Sequence, residues 1–280
     1  MKFRTEIERS RPGFGISHSD HIVMLGSCFT DSVGALLSRD GFDVTHNPLG
    51  PLYNPVSILN CLSDVLSGSN PDVSTMATDA NGHEHCLLYA APKAGESLMA
   101  GRAALSEALS RATVAIITLG SAYVYRWNES GMVVGNCHRF PASCFQRNIL
   151  SVDEITDTVR SISQALPENI RHILFTVSPI RHLADGLHGN QLSKASLLLG
   201  LDRALASDQS GKLSYFPSYE ILLDDLRDYR FYANDLKHPS DVAVDYIYEI
   251  FSDTYFSPST LRLAAECRAN HLRTAHRPIR

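Results

Sequence analysis

The chain has 280 residues, enough for one large domain or one domain with an insertion. Hydrophobic residues make up 44% and charged residues 20%, the balance of an ordinary globular enzyme. A net charge of -5 excludes the clustered basic face of a nucleic-acid binder, and no apolar run reaches the length of a membrane span. The arginines near the C-terminus (Arg262, Arg268, Arg273, Arg277, Arg280) are spaced among Ala, Leu and His, and are read as a solvated helix face followed by a short tail over 256–280. The N-terminal MKFRTEIERSRPGFG carries charges with no apolar core behind them, a pattern that predicts a cytoplasmic protein. Six cysteines in such a chain are expected to be reduced thiols.

Taken in chain order, IVML (22–25) reads as a short buried strand, and the apolar positions 29, 33, 36 and 37 that follow have helical spacing. Gly41 ends that helix, and FDVTH (42–46) alternates like a second strand. NPLGPLYNP (47–55) is too rich in Pro, Gly and Asn to be regular, and Pro55 is placed to open a helix. Residues 67–100 are loop-like and predict an insertion, a candidate lid. Helix is expected at 105–110, and TVAIITLG (113–120) is the clearest buried strand. AYVYRW and ESGMVVG then predict a hairpin turning at Asn128–Gly131. The pattern continues with helix at 155–166, strand at 172–179, helix at 190–206, strand in KLSYFPS, helix at 217–227 and helix at 241–253. Strands alternate with helices throughout. That order predicts an α/β three-layer sandwich, a mostly parallel sheet with helices on both faces, in a single domain over 1–280. Such sheets bind ligands beyond the carboxyl ends of their strands, so 26–30, 47–55, 120–123, 178–190 and 234–240 are the segments to search.

Ser27 stands where the first strand meets the first helix. It reads either as the N-cap of an ordinary βα turn or as a nucleophile whose oxyanion would rest on helix-terminal N–H groups. Asn234-Asp235-Leu236-Lys237-His238-Pro239 offers the complement. An Asp three residues before a His can fix the imidazole tautomer and leave the other nitrogen free to take a proton. Cys28 is a rival nucleophile, since a thiol at a helix N-terminus is activated. Free cysteine is, however, among the most buried residue types. GNCHRFPASCF (135–145) and HEHC (83–86) hold cysteines and histidines, but their spacing fits no zinc pattern, and no metal or cofactor is expected. Arg181 and His182, on the segment after the fourth strand, are candidates for binding a polar or anionic substrate group. Ser193 and Lys194, adjacent on a helix, point in different directions and are set aside as a dyad.

Taken together, Gly26-Ser27-Cys28-Phe29, NPLGPLYNP, TLGSAYVY, GNCH, SPIRH, NQLSKA and KHPSDVAVDYIYE occur in an order that resembles the GSCFA domain family, over roughly residues 20–255. Thr30 replaces the name-giving alanine. More broadly the chain resembles the SGNH hydrolases, serine esterases with a flavodoxin-like sheet. The resemblance implies Ser27 as nucleophile, His238 as general base and Asp235 as its orienting acid. It also implies Gly50 as an oxyanion donor through its backbone N–H, beside the helix-start N–H of Cys28, and Asn136 and His138 as pocket residues, to which Tyr53, Arg181 and His182 are added as substrate-binding candidates from their positions after the strands. One block departs. The broader hydrolases carry Gly-x-Asn where this chain has Gly120-Ser121-Ala122, so an oxyanion amide is missing, with Ser121, Asn54 and Asn136 as candidate replacements. An unreplaced donor would cost about 10²–10³ in rate. The implied function is hydrolysis of small O-acyl esters, by analogy O-acetyl groups on a carbohydrate, through an acyl-Ser27 intermediate. The alternatives are O-acyl transfer at the same triad or a non-catalytic ligand-binding module. Neither nucleic acid nor membrane is an expected partner, and the oligomeric state is not encoded in any of these patterns.

Overall fold

The computed structural model describes residues 4–8, 12–90 and 95–275. Five parallel strands form the central sheet: β1 (His21–Gly26), β2 (Asp43–His46), β5 (Val114–Leu119), β8 (His172–Val177) and β9 (Leu213–Phe216), in the order β2-β1-β5-β8-β9. Among the sheet's own strands this is the 2-1-3-4-5 order of flavodoxin-like sheets, which reverses direction between β1 and β5. Ile22 pairs with Val44 on one side and Val114 on the other, and Val114 continues to His172.

The apolar runs are continuous because both faces of these strands are covered. Alternation sorts them between two cores. Val23, Leu25, Ala115, Ile117, Ile173 and Phe175 face one core, which is closed by α2 (Pro55–Leu66), α3 (Glu96–Arg111), α4 (Val152–Ala165) and α5 (Gly186–Ala206). Ile22, Met24, Val114, Ile116 and Leu174 face the other, under α1 (Cys28–Arg39), α7 (Asp241–Tyr255) and α8 (Pro258–Ala275). The fold is therefore the expected α/β arrangement with helices on both faces. The buried Asp40 carboxylate ties the second layer together, accepting from Arg39, Arg268 and the Tyr248 hydroxyl.

Three sequence expectations change. Tyr123–Trp127 (β6) makes only a short hairpin with 129–135, in which Trp127 N–H donates to Met132 O and Val134 N–H to Tyr125 O. The chain does turn at 128–131, and Arg126 bridges Val133, but the ladder partner of β6 is β7 (Phe145–Ile149), antiparallel from Tyr123↔Ile149 to Trp127↔Phe145. Residues 67–100 hold a small antiparallel pair, β3 (Met76–Thr78) with β4 (Glu84–Cys86), and the first residues of α3. Leu87, Leu88 and Tyr89, which follow that pair, are buried, and Gly135 N–H donates to Leu87 O. Helix at 217–227 is present over 218–226 but changes type: one α-helical turn, α6 (Ser218–Glu220), runs directly into a π-helix over Ile221–Leu226, and Arg227 follows in the left-handed region. The predicted tail at 276–280 lies outside the described residues.

Candidate active site

β1 ends on Gly26, whose φ of +145° brings it against β5, where a Cβ would run into the Thr118 carbonyl. The close approach fixes how the chain leaves the sheet. Ser27 takes an extended conformation (φ -66°, ψ 171°) and its N–H donates to Thr118 O. Cys28 is the first residue of α1. Ser27 is thus fully buried between the strand ends, close enough to Gly120 that a Cβ there would lie 3.2 Å from the serine Cβ. Its hydroxyl has no hydrogen-bond partner among the described residues, neither His238 nor a capping amide of α1.

Cys28 projects the other way. Its Sγ lies 3.6 Å from His238 Nε2 and lines a cavity of about 490 Å³ at the carboxyl ends of the strands. His238 Nδ1 is 2.6 Å from Asp235 Oδ2. The other Asp235 oxygen accepts from the N–H groups of Lys237 (2.9 Å) and His238 (3.0 Å). The His238 ring, followed by those two amides, holds the Asp235 carboxyl well below the usual carboxylate range. The expectation that Ser27 meets His238 is corrected: the adjacent Cys28 does. The expected N-cap is corrected in part, because Ser27 holds the position without making the side-chain bond.

Burial raises the Cys28 thiol above its ordinary value, opposed by the Tyr53 hydroxyl and by the N–H groups of Cys28 and Phe29. Those amides open α1 and have no carbonyl one turn earlier to bond. Tyr53 is itself pushed up to about 12 by burial and then by Cys28, so it stays a donor toward sulfur. The site therefore holds a protonated thiol beside an imidazole whose far nitrogen is anchored.

The expected oxyanion donors separate. Gly50 spends its N–H on Asn47 O (2.8 Å) and does not line the cavity. Ser121 lines it, but its N–H goes to Tyr53 O and its Oγ accepts from Tyr123 N–H (3.0 Å) beside Ser193 Oγ (3.3 Å). Asn54 also lines it. Its Oδ1 caps α2 by accepting from Ser57 N–H (2.8 Å), which leaves the Nδ2 amide with no acceptor among the described residues. Of the candidate side-chain substitutes for the missing amide, Asn54 and Asn136 each keep an Nδ2 donor with no acceptor among the described residues, and Asn54 is the one that opens a helix directly after Tyr53. Asn136 lines the cavity through a loop in which its Oδ1 accepts from His138 N–H. His138 is corrected: it lies in a neighbouring cavity, stacked on His85 with ring centroids 4.7 Å apart. Tyr53, Arg181 and His182 line the cavity, with the rings of Tyr53 and His182 edge to face at 5.5 Å. Burial, followed by the charges of Lys194 and His238, pushes His182 down to about 4, so it is neutral at physiological pH.

The GSCFA family profile matches residues 21–251. The chain belongs to the GSCFA family. Among solved structures, it is similar to a protein from Slackia heliotrinireducens provisionally described as an SGNH hydrolase, at 14% identity and a TM-score of 0.41 over 83% of this chain and 97% of that one. It is also similar to a DUF4886 family protein from Bacteroides uniformis, at 9% identity and a TM-score of 0.43 over 91% and 95%. No curated protein matches it.

Several residues of this GSCFA pocket were not singled out from sequence. Tyr123 and Tyr125 of β6, Arg147 of β7 and Lys237 all line it. Arg147 lies over the Tyr123 ring at 3.9 Å and forms an ion pair with Asp185. Beneath the pocket, Lys194 is fully buried and donates to Gly120 O (2.7 Å) and Ser178 O (2.6 Å), clamping the ends of β5 and β8. Burial pushes it down to about 7. It does not pair with Ser193, whose hydroxyl accepts from Ala122 N–H. Among the described residues no cluster of three or more His, Cys, Asp or Glu is placed to hold a metal, and no helix is long and apolar enough to cross a membrane.

Proposed function

We propose that this GSCFA protein is an acyl-transfer enzyme, a hydrolase of O-acyl or thioacyl esters, whose nucleophile is Cys28 and not the serine before it. One observation carries the reading: Cys28 Sγ sits 3.6 Å from a histidine whose other nitrogen is held 2.6 Å from a carboxylate. That is the order of nucleophile, base and orienting acid that acyl transfer requires.

His238 Nε2 takes the thiol proton as Cys28 sulfur attacks the acyl carbonyl. The resulting oxyanion is placed to accept from the Cys28 N–H at the start of α1 and from Asn54 Nδ2, with Tyr53 hydroxyl beside the sulfur. When the C–O bond breaks, His238 returns the proton to the leaving alcohol. The acyl group then forms a thioester with Cys28. Water gives a proton to His238 and attacks the thioester, releasing the acid and restoring the thiol. Because the free thiol is protonated, proton removal accompanies attack and no thiolate waits for the substrate. The cavity's volume of about 490 Å³ leaves room for an acceptor beside a small acyl group and favours O-acyl transfer to an alcohol as the second reading.

Turnover of a short-chain 4-nitrophenyl ester by Cys28→Ala and Ser27→Ala tests the assignment. The expected result is loss of turnover in the first and retention in the second. The reverse pattern would restore Ser27 as nucleophile.

A further inference from the structure

The wall of the cavity facing away from the sheet is cationic. Arg147, Arg181 and Lys237 line it, and among the described residues no Asp or Glu does. Two carboxylates lie behind the wall and are already engaged, Asp185 by Arg147 and Asp235 by His238. Arg181 and Lys237 have no carboxylate partner among the described residues. A protein with a net charge of -5 thus concentrates uncompensated positive charge at one cavity.

Arg181 is also held in place. Its guanidinium lies over the Tyr232 ring at 4.2 Å and the Tyr229 ring at 5.1 Å. Cation–π contact with the two rings, and hydrogen bonding to their hydroxyls, restrict where the group can go, while its five donors exceed what two hydroxyls can take. Its backbone N–H donates to Lys237 O (3.0 Å), and Ala233 N–H donates to His238 O (2.8 Å). The cation and the imidazole are therefore carried by segments bonded to each other, at a fixed separation.

We propose that the substrate carries an oxyanion, a carboxylate or a phosphate, bound by Arg181 with Lys237 beside it while the acyl carbonyl lies at Cys28. This rests on the acyl-transfer reading for the role of Cys28, but the binding of the anion does not. A charged hydrogen bond of this kind contributes about tenfold or more in affinity.

Two alkylating reagents that differ in charge supply the test. Iodoacetate and iodoacetamide each form an S–CH₂ bond with the thiol and release iodide. Rates at Cys28 are read by peptide mass spectrometry and divided by the rates of the same reagents with N-acetylcysteine. The expected normalised preference for iodoacetate is about tenfold, falling toward unity in Arg181→Gln and partly in Lys237→Gln. A normalised ratio near unity in the wild type, or a preference that survives both substitutions, overturns the proposal. Calorimetric titration of the wild-type protein with glutarate and with inorganic phosphate runs in parallel. It distinguishes a carboxylate from a phosphate site, and it reads the anion site without using the thiol. Saturable binding of one anion that is weakened in Arg181→Gln supports the proposal, and binding of neither overturns it. If alkylation at Cys28 is as fast in His238→Ala as in the wild type, the pairing of nucleophile and base fails, and the calorimetric result alone decides the anion site.

Discussion

The two sides of the cavity are built differently. The floor, holding Cys28, Tyr53 and Asn54, hangs from the carboxyl end of the parallel sheet, whose inner strands β1, β5 and β8 are buried on both faces. The outer wall, holding Tyr123, Tyr125, Arg147 and Arg181, comes from a two-stranded ribbon and a loop. In β7 the five residues are half-buried or exposed, and Arg147 is positioned by stacking and an ion pair, not by a core. The floor is packed against the sheet, as the proposed chemistry requires. The wall is suited to recognition, where a side chain can adjust to a ligand.

This difference separates the expected effects, from the largest to the smallest. On the floor, Cys28→Ala should lower turnover by about 10⁴-fold or more, the scale of losing a nucleophile. His238→Ala should cost about 10²–10⁴, because the protonated thiol depends on its base. Both are read as kcat/KM on an activated ester. Asn54→Ser keeps an oxygen to cap α2 and removes the amide, so kcat should fall by about 10²–10³ with little change in melting temperature. An unchanged kcat there would remove Asn54 from the oxyanion site. On the wall, Arg147→Gln should act mainly on KM, and an equal loss in kcat would erase the distinction between floor and wall.

Two pH responses sharpen the account of the floor. Burial raises the Cys28 thiol, so its iodoacetamide alkylation should keep climbing above pH ~8.5, the ordinary thiol value. A plateau below neutrality would mean a preformed thiolate instead. Lys194 falls to about 7 in the folded state, against roughly 10.4 when unfolded. The unfolded chain therefore binds more protons between those values, and the stability contributed through Lys194 should rise with pH across that window. Comparing chemical denaturation of the wild type with Lys194→Met at pH 7 and at higher pH isolates the effect. A difference that does not change with pH would contradict it.

The same contrast explains what the sequence made legible. β1, β5 and β8 were readable because strands buried on both faces are continuous apolar runs, and the Asp235-His238 pairing was readable because a spacing of three positions in a loop can bring the groups together. β7 was not, since FQRNI has no clean apolar face, and its partner β6 is separated from it by the loop 128–144. Arg147 went unnoticed for that reason. Confusion between Ser27 and Cys28 has a local cause. Both readings need a residue at a strand end and a helix start, and a one-residue shift exchanges the buried direction for the open one. Only the contact between Gly26 and Thr118 sets which residue leaves the sheet facing His238. Lys194 reads as an ordinary helix lysine because its acceptors, Gly120 and Ser178, are distant in sequence.

The central claim is that the acyl group is carried on sulfur. The most direct measurement quenches the protein in acid during turnover of a slow 4-nitrophenyl ester and maps the acyl mass by peptide sequencing. The account predicts the group on Cys28, released by neutral hydroxylamine as a thioester is. An acyl group on Ser27, stable to that treatment, would contradict it.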